Sequence, residues 1–133
     1  MKTRTKNTIT WILRLLAAVI MLQTLFFKFT AAPESVYIFT TVGMEPWGRI
    51  TVGILEAIAA ILLLVPRTTS IGALLGLGLM SGALFFHFTT LGIAVQGDGG
   101  QLFLYAFLVW ISCLVLLAFE RRGIGLIRKQ NRV

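Results

Sequence analysis

The chain has 133 residues, 57% of them hydrophobic and only 13% charged, with a mean hydropathy of +0.89, which excludes an ordinary water-soluble domain. Twelve Lys and Arg against five Asp and Glu give a formal charge of +7, carried mainly in short segments that flank apolar runs rather than in a patch suited to nucleic acid. A single cysteine, Cys113, excludes an internal disulfide, a cysteine metal cluster and dithiol redox chemistry within this chain.

Four apolar runs follow one another: Ile9 to Phe29, Trp47 to Val65, Ser70 to Leu91, and Gln101 to Phe119. Each is about 20 residues, the length a helix needs to cross a hydrocarbon core about 30 Å thick. No run alternates apolar and polar residues, so a membrane barrel is disfavoured. The expected fold is all-α: a single polytopic membrane domain, residues 1–133, built as a four-helix bundle.

The first run follows "MKTRTKNT", as a cleavable signal peptide would, and "FTAA" offers a poor cleavage site. It exceeds a signal h-region in length and contains Arg14, Gln23 and Lys28, so it reads as a retained helix. Thr24 and Lys28 share one of its faces, with Gln23 beside them. Arg14 lies toward the opposite end and is expected to snorkel to the interface.

The segment Thr30 to Pro46 then forms the first outer loop, at the Lys28 end of this helix. Pro33 with Glu34 and Ser35 suits a first helical turn, and Gly43 suits its end, which predicts a short helix lying on the outer membrane surface. Val36, Phe39 and Val42 would face lipid or the bundle. The β-branched and aromatic "VYIFTTV" is the competing strand signal.

In the second run Arg49, Gly53, Glu56 and Ala60 fall on one helical stripe. A carboxylate at mid-depth costs about 2.5 to 3.5 kcal/mol to insert, so Glu56 needs a partner or a task. "PRTTS" is a tight turn that makes the second and third helices antiparallel neighbours. The third run carries two small-xxx-small pairs, Gly72 with Gly76 and Gly78 with Gly82, which suit close helix packing. The face of the first pair continues through Met80 and Ala83 to His87, for which Asp98 or Glu45 would be a partner. "GIAVQGDGGQ" predicts a tight, mobile cap, and the fourth run places Gln101, Tyr105 and Ser112 on one face.

Charge sets the orientation. Lys2, Arg4 and Lys6, then Arg67, then Arg121, Arg122, Arg128, Lys129 and Arg132 share one side, and the positive-inside rule makes that side, with both termini, cytoplasmic. The basic tail would anchor topology and touch anionic lipid. On the 1.5 Å helical rise, Lys28, Arg49, Tyr105 and His87 lie about 3 to 6 Å below the outer boundary and Glu56 about 14 Å. Together they form a polar funnel open to the outside and floored by Glu56, above an apolar inner half.

These residues admit bland roles too: a structural hydrogen bond for Glu56, snorkelling for Lys28 and Arg49, and interface anchoring for Trp11 and Trp47. The lone histidine excludes a histidine-rich metal centre. The candidate ligand-binding or proton-relay residues are Glu56, His87, Lys28, Arg49, Tyr105 and Gln23, with no metal site.

The order "LQTLFFKFTAAPESVYIFTTVGMEPWGRITVGILEAIAAILLLVPR", then "MSGALFFHFTTLGI" and "QGDGG", resembles the DoxX family of small four-helix bacterial membrane proteins. The resemblance runs from about Leu13 to Phe119, with the family's glutamate and lysine at Glu56 and Lys28. It implies a four-helix bundle in the bacterial inner membrane. It also implies association with quinone-linked redox enzymes.

Three functions fit. The first is a membrane component of a quinone-linked oxidoreductase system, with no intrinsic cofactor, a quinone in the funnel and a soluble redox partner supplying electrons. Its enzymatic part would be at most that of a cofactor-free subunit. The second is a small-solute or lipid-related protein, working as a homo-oligomer. The third is a non-catalytic scaffold or assembly partner whose glycine faces dock a partner helix.

Overall fold

In the computed structural model, residues 3–95 and 97–131 are described, 120–131 by backbone alone. Lys2, Gln96 and Arg132, and the side chains of Arg121, Arg122, Arg128 and Lys129, lie outside the described residues. Five helices account for the fold: α1 (Thr3–Phe29), α2 (Pro33–Thr41), α3 (Trp47–Leu64), α4 (Thr69–Phe86) and α5 (Gln101–Asn131). A 3-10 turn, Pro66–Thr68, precedes α4, and a π-helical turn, His87–Leu91, extends it. Among the described residues there is no strand.

Four segments are long and apolar enough to cross a membrane: Thr3–Phe29, Trp47–Leu64, Pro66–Leu91 and Gln101–Phe119. Their outward faces are studded with exposed Ile, Leu, Val and Phe, including Val19, Ile54, Ile61, Leu74 and Phe85. In a water-soluble fold such a surface would drive aggregation, whereas in lipid it is the solvated face. The protein is a multi-pass membrane protein.

The helices close into a ring: α1 packs on α3 and α5, and α4 packs on the same two. Thus α1 and α4 are diagonal, as are α3 and α5. The core is built from small and thin residues, Ala17, Ala18, Ala59, Ala60, Ala73 and Cys113, which let the backbones approach, with Met21, Leu63 and Leu116 filling between them.

Helix α2 forms where the sequence signals place it. Pro33 sits in the first turn, where no amide donor is needed, and Gly43 takes φ +78° just past the end. Phe39 is buried and Val36 and Val42 are half-buried. The C-terminus of α1 is closed by Thr30 N–H to Phe26 O (3.1 Å), Ala32 N–H to Phe27 O (3.0 Å), and the Arg49 Nη1 donor to Lys28 O (2.5 Å).

Two expectations need correction. Arg14 does not snorkel: it is 3% exposed, its Nε donates to Leu63 O at 2.6 Å, and its guanidinium lies 3.7 Å from the Trp11 ring centroid. The last carbonyls of α3 lack helical partners, and a cation at a helix C-terminus gains from both the hydrogen bond and the dipole.

The glycine pairs also differ. A Cβ on Gly72 would meet Leu63 N at 2.6 Å, and one on Gly76 would meet Cys113 Sγ at 2.9 Å, so this pair does pack. Nothing lies within 4 Å of a Cβ on Gly78 or Gly82, because those two open onto a cavity.

Candidate functional site

The cavity, about 790 Å³, occupies the half of the bundle that α2 covers. It falls in the size range of small-molecule sites, and its walls are mainly apolar. α1 lines it from Ile20 to Lys28, α4 and the π-turn from Gly78 to Leu91, and α5 from Gln101 to Val109. Val52 and Glu56 are the α3 contributions, and Glu56 is the deeper.

One polar group sits on the edge where α1 meets α3. The last turn of α1 carries Lys28, whose positive charge suits a helix C-terminus. Its Nζ lies 3.1 Å from Glu56 Oε2, with the two side chains 15% and 4% exposed. The pair is close enough for strong attraction, yet Oε2 receives no well-aligned hydrogen bond from it. The Thr24 hydroxyl stands beside the carboxylate and donates to Met21 O at 3.0 Å. Gly53 makes this meeting feasible, since a Cβ there would touch the Phe29 ring at 2.9 Å.

The other polar group is on the edge where α4 meets α5. His87 is 5% exposed and lies edge-on to Phe103, ring centroids 5.7 Å apart. Its Nδ1 is 2.9 Å from Gly92 O. Gly92, at φ +78°, ends the π-turn and aims that carbonyl back at the ring. π-turns of this kind cluster at functional sites. At the start of α5, Gln101 Nε2 donates to Tyr105 Oη, one turn further along the helix, at 2.8 Å. Because the ring of helices separates the two edges, the groups face each other across an apolar middle.

Asp98 is not the hydrogen-bond partner of His87. It accepts Val95 N–H (2.9 Å) and Gly100 N–H (2.8 Å) on Oδ1 and Leu102 N–H (3.2 Å) on Oδ2. Slight burial pushes its carboxyl up, but these three amides and the nearby His87 outweigh that and hold it below the usual carboxylate range. The turn around it uses positive φ at Gly97, Gly99 and Gly100, and the carboxylate closes the N-terminus of α5.

Of the six residues singled out by sequence, five line the cavity: Glu56, His87, Lys28, Tyr105 and Gln23, the last of them exposed at its edge. Arg49 does not line it. Its Nε reaches both oxygens of Glu45 (2.9 and 3.0 Å) while Nη1 takes Lys28 O, so one guanidinium ties together the two roots of the α2 segment. Sequence reasoning missed Gln101 as a site residue, although it shares a face with Tyr105. It also missed Glu34 and Ser35, which line the roof, and the Gly92 carbonyl, for which no sequence signal exists.

The DoxX-like family model matches residues 12–118, which takes in most or all of each span and both polar groups. No curated protein and no solved structure matches the chain.

Proposed function

The chain belongs to the DoxX-like family, and on that premise we propose that it is a membrane component of a quinone-linked oxidoreductase system that holds a quinone in the cavity beneath α2. In this reading the membrane is the bacterial inner membrane and the basic segments, with both termini, are cytoplasmic. Helix α2 lies on the outer surface, and a soluble redox partner exchanges electrons with the bound ring.

The observation that carries the proposal is the two-edged cavity. A quinone is a flat apolar ring with polar oxygens at opposite ends, and it needs an apolar slot with hydrogen-bonding groups at both ends. Tyr105 with His87 on one edge, and Lys28 with Glu56 on the other, match that distribution. Reducing the ring also takes up two protons, and His87 and Glu56 are groups that can pass them. The packing favours ligand binding over scaffolding: Gly72 and Gly76 are engaged inside the bundle, and Gly78 and Gly82 face the cavity rather than a partner helix.

The test is mass spectrometry of organic extracts from mildly purified protein, counting quinone per chain. Near-stoichiometric quinone, counted together with its hydroquinone, that falls in Glu56→Gln and in His87→Ala supports the proposal. Quinone no higher than in a comparable four-helix membrane protein overturns it.

A further inference from the structure

We infer that the cavity prefers the reduced, hydroquinone form of its ligand to the oxidised quinone, an inference that rests on the quinone reading above and follows from the direction of each hydrogen bond already made. The Gly92 carbonyl can only accept, so His87 Nδ1 carries the proton and donates to it. In the neutral ring Nε2 then holds a lone pair. It has no hydrogen-bond partner among the described residues, although the side chain is 5% exposed and lines the cavity.

Tyr105 is directed in the opposite sense. Its oxygen accepts from Gln101 Nε2, which leaves its own O–H free to donate. The α4–α5 edge therefore presents one acceptor and one donor to the cavity, the complement of a hydroxyl group, which offers one proton and a lone pair.

The α1–α3 edge has the same character. Lys28 is the donor, and the Glu56 carboxylate, with acceptor sites for about four hydrogen bonds, has Lys28 and Thr24 beside it and no aligned bond on Oε2. A hydroquinone satisfies both edges, donating to His87 Nε2 and toward Glu56 while accepting from Tyr105 and Lys28. A quinone has acceptors only. It satisfies Tyr105 and Lys28, sets its carbonyl lone pairs against those of Nε2 and the carboxylate, and leaves two buried acceptors unfilled. An unfilled buried acceptor is costly, so the difference at His87 alone is worth about tenfold in affinity.

The experiment is anaerobic equilibrium binding of decylubiquinone and of its chemically reduced hydroquinone to the full chain in nanodiscs, followed by tryptophan fluorescence. In the wild type the hydroquinone should bind at least about tenfold tighter. His87→Phe, which keeps an aromatic ring against Phe103, should erase the preference by weakening the hydroquinone alone. Tyr105→Phe should weaken both forms about equally. Equal binding, or tighter binding of the quinone by the wild type, overturns the inference while leaving the quinone site standing. A preference that survives His87→Phe overturns the assignment to Nε2. Failure of both forms to bind overturns this inference and the proposed function together.

Discussion

Lys28 Nζ stands 3.1 Å from Glu56 Oε2, so the last turn of α1 and the middle of α3 are joined by an ion pair that both helices bury. Two charges out of water cost several kcal/mol each, and their attraction offsets this only while both are present. Lys28→Met alone should therefore destabilise the protein by about 3 kcal/mol, and Lys28→Met with Glu56→Gln should recover most of that loss. Thermal unfolding of the four proteins in detergent closes the cycle. Additive losses would show that the pair is not coupled.

Arg49 reaches Lys28 O and the Glu45 carboxylate with one planar group, which an ammonium cannot imitate. Arg49→Lys should accelerate amide hydrogen exchange across residues 30–44 by about tenfold or more, the factor expected for losing about 1.4 kcal/mol of local hydrogen bonding. Exchange in the α4–α5 pair should not change. Uniform acceleration along the chain would mean that Arg49 supports the whole bundle rather than the α2 segment.

The two glycine pairs should respond oppositely to size. Gly72→Ala forces a methyl against the α3 backbone and should cost about 2 kcal/mol, because neither chain can yield. Gly82→Leu enters open space, should change stability by no more than about 0.5 kcal/mol, and should expel the ligand by filling the cavity. Melting curves paired with quinone counts separate the two effects. A Gly82→Leu protein that retains full quinone would place the ligand elsewhere.

Asp98 gives the turn before α5 an acid limit. Its folded carboxyl lies below the usual range, so its contribution is fully present above the unfolded value of about 3.9 and is lost as pH falls through the lower folded value. Hydrogen exchange at Val95, Gly100 and Leu102 should thus be level from neutral pH down to about pH 4, after correction for intrinsic rates, and rise below it. In Asp98→Ala the protection should be low at every pH. Because every partner of the carboxylate lies within the turn and the start of α5, the effect stays there and the global melting point should move little.

Local signals were legible in the sequence, and pairings between helices were not. Pro33 and Gly43 bounded α2 correctly because both act through their own backbone. The stripe of Arg49, Gly53, Glu56 and Ala60 is buried as one face because periodicity belongs to a single helix. Which cation Glu56 takes depends on the register of α1 against α3, and that register gives it Lys28 and sends Arg49 to Glu45. The same kind of register brings Arg14 to the end of α3. The His87 partner was out of reach for a different reason: it is a backbone carbonyl aimed by a π-turn that composition does not announce.

The end of the bundle opposite α2 is fastened several times over. Leu63 O takes both Arg14 Nε (2.6 Å) and Thr69 Oγ1 (3.2 Å), Leu62 O takes Thr68 Oγ1 (2.9 Å), and Gly72 brings α4 onto the same backbone. The cavity reaches no residue of this knot. The cavity is therefore a cul-de-sac, and under the proposed function its occupant would leave by the end through which it entered.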